Sequence, residues 1–227
     1  MKLLAVEPLA VADVKLVRFT RIRDERGSFA ETLRPAQVAS QLTGATAASF
    51  ALAQLNESTS VRGVVRGLHV QSRPYQGKLV RAVTGAFLDV ALDIRRGSPS
   101  FGCAVVAELR EDAASDEGHW VWVPPGFAHG LVFDRQAGTA EYLCTTEWSP
   151  EREGSIHIAS PEIDWSRADS ALAQRVRNAL GEGPLLSPKD AAAPTLATWQ
   201  SQHHAAEFVY DPAAPFACRA ATAADFP

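Results

Sequence analysis

Residues 64–71, VVRGLHVQ, set a guanidinium (Arg66) and an imidazole (His69) three residues apart in an otherwise apolar, strand-like run. An imidazole titrates near ~6.5, so it can take or give a proton at neutral pH. A guanidinium offers a planar fork that grips pyrophosphate at two points. A second imidazole, His129, lies in VPPGFAHG (123–130), and an ammonium, Lys78, in QGKLV. An ammonium inside a strand is costly unless it faces a ligand or partner; otherwise it marks an exposed edge. The chain has three phenols, Tyr75, Tyr142 and Tyr210. A phenol near ~10 stays protonated at pH 7 and can return a proton to carbon. Plainer readings stand beside these: His69 as a satisfied core histidine, Tyr142 as a strand aromatic packed in its sheet.

The elements that would position these groups are mostly strands. VKLVRFTRIRDERGSFAET predicts two short strands around a turn at Asp24–Gly27. RPAQVASQLTG (34–44) predicts a short helix ended by Gly44. From about 48 to 147, short β-rich runs follow one another with Gly, Pro, Ser or Asp between them, GKLVRAVTG and AFLDVALDIR among them as separate strands. Many short strands with such turns mean a sandwich or barrel. Beyond IDWS, SRADSALAQRVRNALG (166–181) places Leu172, Val176 and Leu180 four apart, with Ser166 or Asp169 to cap the start and Gly181 the end. LLSPKDAAAP reads as a loop, TLATWQSQHHAAEF as a further helix, and the Ala/Pro-rich end as a loosely packed tail. The expected organisation is one all-β domain over 1–195, carrying the helical insert near 166–181, with a C-terminal helix and tail (196–227) packed on it.

With 227 residues, 46% of them hydrophobic, the chain can bury a sizeable core. A formal net charge of -4 gives no global attraction to nucleic acid or to an anionic membrane. An anionic ligand would need a local basic cluster. Three widely spaced cysteines (103, 144, 218) and no CxxC pair argue against a disulfide framework or zinc cluster and fit a reducing compartment. Glu7 and Asp13 interrupt the N-terminal run, no secretory signal forms, and no apolar run is long enough to span a membrane, so a cytoplasmic protein is expected.

Pro124, Gly126 and His129 match P-x-G-x-x-H, the second half of a cupin jelly-roll signature. A metal-binding cupin carries H-x-H and a carboxylate in its first half. Here the run is His69-Val70-Gln71, and an amide is a poor ligand for zinc, iron or nickel. Two histidines do not close a metal site, which leaves His69 free for acid–base work and implies no metal or cofactor.

DERGSFAE, VVRGLHVQ, QGKLVRAVTG, DVALDIRRGSPSFG, VPPGFAHG, SPEREGSI and LSPKDAAAP occur in the order found in the dTDP-4-dehydrorhamnose 3,5-epimerase family, which the chain resembles over about residues 5–195. The resemblance implies a metal-free jelly-roll homodimer acting on a nucleotide-linked 4-keto-6-deoxy sugar, most simply a dTDP sugar epimerised at C3 and C5. It implies His69 as base, Asp190 of SPKDAAAP as the carboxylate behind it, Lys78 at the ketone oxygen and Tyr142, thirteen residues after His129, as acid. His129 is expected to contact Asp89 near the sugar. Arg66 would clamp pyrophosphate, Gln54 and Asn56 would offer polar contacts from one strand face, and Lys189 would touch phosphate. Arg26, Phe29 and Glu31 resemble the segment that reaches the neighbouring subunit's site.

The chain also departs from the family. Two positions where many members carry tyrosines hold Glu147 and Trp148. Trp148 can stack on a base as a tyrosine does, while Glu147 leaves the nucleobase open. The insert before Asp190 and the tail beyond about 200 are extra. Two other readings remain: a single-centre epimerase or ketoisomerase on the same scaffold, and a non-catalytic jelly roll that binds nucleotide sugars.

Overall fold

A computed structural model of the chain describes residues 2–43, 51–112, 114–213 and 218–219. Strands β1 (Leu3–Pro8), β2 (Lys15–Thr20), β3 (Ile22–Asp24) and β4 (Gly27–Phe29) precede helix α1 (Pro35–Thr43). Then come β5 (Gln54–Ser60), β6 (Val65–Gln71), β7 (Lys78–Asp93), β8 (Ala104–Arg110), β9 (Glu117–Val123), β10 (Phe127–Val132), β11 (Gly138–Cys144) and β12 (Glu153–Ser155). Helices α2 (Ser170–Gly181), α3 (Pro188–Ala191) and α4 (Leu196–Gln200), a 3-10 turn (His203–Glu207) and the short strands β13 (Val209–Tyr210) and β14 (Cys218–Arg219) follow. No described helix is long and apolar enough to cross a membrane.

The runs 77–85 and 86–95, expected as two strands, are one strand of 16 residues. Its first half pairs antiparallel with β11 and β9, and its second half with β8 and β10. Two antiparallel sheets therefore share β7: β1-β2-β9-β7-β11-β5 and β8-β7-β10-β6-β12. This is the all-β, cupin-like jelly roll that the sequence predicts. Gly85, where the two expected runs meet, has a φ of +67°, which lets the strand bend from one sheet to the other without stopping.

Alternation along β7 decides what faces what. Phe87 and Ala91 belong to a cluster that also takes Val80, Val121, Phe127, Leu131 and Ala140 from both sheets. Leu88, Val90 and Leu92 point the other way, into a second cluster with Val176 of α2 and with Leu196, Trp199 and Phe208 of the C-terminal segment. A third cluster, around Val38 and Leu42 of α1, covers the other sheet through Phe19, Leu79, Trp120 and Trp122. Asp89 shares the inward parity of Phe87 and Ala91, so β7 delivers a carboxylate between the sheets.

The β3–β4 hairpin forms at the expected turn, and α1 spans the expected stretch, although Gly44 lies outside the described residues. Asp169, not Ser166, caps α2 by accepting from the amides of Ala171 and Leu172, and the left-handed glycine after it is Gly183 rather than Gly181. LLSPKDAAAP is not wholly loop: Ser187 caps the one-turn α3, with Pro188 in its first turn, where a missing N–H costs nothing. The helix expected over TLATWQSQHHAAEF is divided between α4 and the 3-10 turn. Cys103 and Cys144 are buried free thiols.

β6 approaches β10 very closely at Gly67. A Cβ there would lie 2.5 Å from the carbonyl oxygen of His129, and φ is +103°. Gly67→Ala should therefore lower the thermal midpoint by at least about 4 °C, from strain of order 1–3 kcal/mol plus the clash. Calorimetry checks this; an unchanged midpoint would mean that the approach is loose.

Candidate active site

His69 of β6 stands opposite His129 of β10 in the antiparallel ladder. Lys78 opens β7 opposite Cys144 of β11, and Tyr142 lies two residues before that cysteine on the same face. The two sheets thus bring side chains from β5, β6, β7, β10 and β11 to one cavity of about 290 Å³, lined by His69, His129, Lys78, Tyr142, Arg66, Asn56 and Asp190 among others.

The Nε2 of His69 lies 2.6 Å from Oδ1 of Asp190. A carboxylate only accepts, so Nε2 carries the hydrogen and Nδ1 is left as the basic nitrogen. Asp190 is buried, and its own supports are explicit. Ser187 donates its hydroxyl to Oδ2 at 2.9 Å, and the same Ser187 oxygen accepts from the Asp190 amide. Burial pushes this carboxyl up, but hydrogen bonds from His69, Ser187 and the Gly67 amide together hold it below the ordinary aspartate value. The chain reaches this place because Leu185 pairs with Gly63 and Val65 as it returns from α2 alongside β6.

His129 donates from Nε2 to Asp89 Oδ2 at 2.8 Å, and both are buried. Burial lowers the pKa of His129, with Asp89 opposing, so the ring is neutral at pH 7. Burial likewise lowers the pKa of Lys78, while Glu153 and Asp89 pull it back. Among the described residues, the Lys78 ammonium has neither a hydrogen-bond nor an ion-pair partner. A half-buried cation without a partner is a group in wait of an anion. Burial raises the phenol of Tyr142; its hydroxyl contacts Ser58 Oγ, and its ring meets His129 edge-on, centroids 6.3 Å apart.

Arg66 is exposed at the rim, held by Ser60 Oγ at 2.9 Å and the Thr59 carbonyl at 3.2 Å. Gln54 donates to Asn56 at 2.7 Å and accepts from the backbone amide of Trp148, a residue 55% exposed. Lys189 pairs with Glu153, and Glu153 lines the cavity. Arg26, Phe29 and Glu31 are not in the cavity. They belong to the β3–β4 hairpin and the stretch after it, all exposed, with Arg26 paired to Asp24 and Glu31 to Arg34.

Sequence reading missed Ser58, Gln76, Cys144, Glu153 and Ser187. Period two would have found three of them: Ser58 follows Asn56, Cys144 follows Tyr142, and Gln76 precedes Lys78 by two residues. Glu153 and Ser187 carry no such signal. Among the described residues, no group of three or more His, Cys, Asp or Glu is placed to hold a metal ion.

A jelly roll with an aspartate-backed imidazole, a phenol and an unpaired ammonium around one inter-sheet cavity defines a cupin-like acid–base enzyme. The family model for dTDP-4-dehydrorhamnose 3,5-epimerase matches residues 8–198, and the chain belongs to that family. The dTDP-4-dehydrorhamnose 3,5-epimerase of Pseudomonas aeruginosa is 41% identical over 184 residues, which cover 80% of this chain and 90% of that protein. That of Neisseria gonorrhoeae is 38% identical over 190 residues, covering 83% of this chain and 51% of that protein, so the chain spans about half its length. The crystal structure of a dTDP-6-deoxy-D-glucose-3,5-epimerase from Legionella pneumophila in complex with dTDP-4-keto-L-rhamnose is similar in fold, with a TM-score of 0.71 and 37% identity over 85% of this chain and 93% of that one.

Proposed function

We propose that the chain epimerises a dTDP-linked 4-keto-6-deoxy sugar, converting dTDP-4-dehydro-6-deoxy-D-glucose to dTDP-4-dehydro-L-rhamnose. The observation that carries this reading is that His69, Lys78 and Tyr142 line one cavity. His69 Nδ1 removes the proton from the carbon beside the ketone, and Asp190 stabilises the imidazolium that forms. Lys78 holds the enolate oxygen. Tyr142 returns a proton to carbon, which inverts the centre when it arrives from the face opposite the base. His129, whose Nε2–H is held by Asp89, accepts at Nδ1 or packs beside the sugar. Only protons are exchanged, so the chemistry calls for no redox cofactor.

Arg66 and Lys189 serve the diphosphate, Gln54 and Asn56 the polar part of the nucleotide, and Trp148 its base. The exposed apolar pair Ile22 and Phe29, opposed across the β3–β4 hairpin, fits a homodimer in which Arg26, Phe29 and Glu31 complete the neighbouring subunit's site. The catalytic domain is the jelly roll within residues 1–195, Leu196, Trp199 and Phe208 pack on it, and the enzyme works in the cytoplasm.

Incubation with the 4-keto sugar nucleotide in deuterated water tests this. NMR should find label at C3 and C5 with both centres inverted. In Tyr142→Phe, exchange should persist while inversion falls by roughly 10²-fold or more. Equal loss of both would refute the division of labour, label at one centre would make this a single-centre epimerase, and no label with intact binding would make it a binding protein.

A further inference from the structure

We infer that Ser58 is a positioning residue for the acid: it fixes the Tyr142 hydroxyl and stabilises the phenolate left after proton return. The inference rests on the proposed reading of Tyr142 and deepens it. β5 pairs antiparallel with β11, with Tyr142 opposite Asn56 and Ala140 opposite Ser58. Ser58 is thus the diagonal neighbour of Tyr142 on the face that Gln54, Asn56 and Ser58 share, a distance aromatic side chains span. Alternation supports this: these three are half-buried, and Leu55 and Glu57 between them are exposed.

The phenol oxygen meets Ser58 Oγ, its hydrogen-bond partner among the described residues. The ring is held edge-on by His129, with 83° between the planes. One contact sets the ring plane and the other the hydroxyl, so both ends of the acid are fixed. When Tyr142 protonates the enolate carbon, its O–H bond breaks, the enolate pair forms the new C–H bond and the negative charge moves to the phenol oxygen. Ser58 O–H then donates to that oxygen until solvent returns the proton. A donor to the charged form favours it. Burial, with Asp89 and Cys144 adding to it, holds the phenol above its ordinary value, and the Ser58 hydrogen bond is the largest of the contributions that oppose this rise. Ser58 itself is absent from the cavity wall, so changing it leaves the surfaces that meet substrate in place.

The test uses the full chain and the variants Ser58→Ala and Ser58→Thr. In deuterated water, Ser58→Ala should keep exchange within about twofold of the wild type and lose inversion roughly tenfold, the scale of one hydrogen bond. Ser58→Thr, which retains the hydroxyl, should restore most of it. Independently of turnover, ultraviolet titration of tyrosinate should show one midpoint moved upward in Ser58→Ala, identified as the signal missing from Tyr142→Phe. An unchanged ratio of inversion to exchange together with an unmoved titration overturns the inference. If wild type neither exchanges nor inverts while the titration still shifts, the proposed activity falls and the Ser58–Tyr142 coupling stands.

Discussion

His69→Ala is expected to abolish deuterium incorporation at carbons flanking the ketone, with turnover reduced about 10²–10⁴-fold, the usual worth of a positioned general base. The size follows from the surroundings. A histidine kept only for packing would be buried, which is not the case for His69. Its side chain is 27% exposed, its Nε2 is committed to Asp190 and its Nδ1 is left for substrate. His129 cannot take its place, because the ring is buried, committed to Asp89 and lowered in pKa. Stability should fall by about 1–3 kcal/mol, because the buried Asp190 carboxylate loses the donor that does most to lower its pKa. Substrate affinity, read by dTDP binding, should hold. Exchange at the wild-type rate in a folded His69→Ala protein would move the base elsewhere.

How far the site could be read in advance depended on how far apart its members lie. Residue type made His69, Lys78, His129 and Tyr142 candidates and put Asp89 on a strand near His129, but the residues alone left Lys78 open as an edge lysine and Tyr142 as a packed strand aromatic, and the family's pattern supplied their roles. Asp190 could not be picked out even as a candidate: 121 residues separate it from His69, and a lone aspartate in SPKDAAAP reads as a turn residue until the family's pattern places it. The β7 error has a similar root. A glycine such as Gly85 punctuates a strand pattern, and only the second sheet, which no local window contains, explains why this strand continues through it. α3 is a single turn, too short for any periodicity to appear. Gln71, which looked like a metal ligand lost, is a clamp: its amide donates to the carbonyls of Pro74 and Glu147, and its oxygen accepts from the amide of Ser149. An imidazole, with two ring nitrogens, could not make all three bonds, so the residue that departs from the metal-binding pattern is the one that seats the segment carrying Trp148.

Asp190→Asn separates the two contributions of this carboxylate, orientation and charge. The amide is nearly the same size, and Ser187 can still hydrogen-bond it. Its oxygen can accept from His69 Nε2–H and keep the ring in place, but it can equally turn its NH₂ toward the ring and fix the wrong tautomer, with Nε2 as acceptor and Nδ1 protonated. It has no charge with which to stabilise an imidazolium. In a catalytic triad the same exchange costs about 10⁴ in rate, and a loss of about 10³–10⁴ in epimerisation is expected here, with dTDP affinity unchanged. Stability gives the second readout. A carboxyl held below its ordinary value contributes stability that is present above about 3.9 and lost as the pH falls through the lowered native value. Wild type should therefore be the more stable protein at pH 7, and the difference from Asp190→Asn should close in acid rather than in base. A variant that epimerises at the wild-type rate would leave His69 without need of a charged partner, while a stability gap that opens as the pH falls would place the lowered carboxyl somewhere other than residue 190.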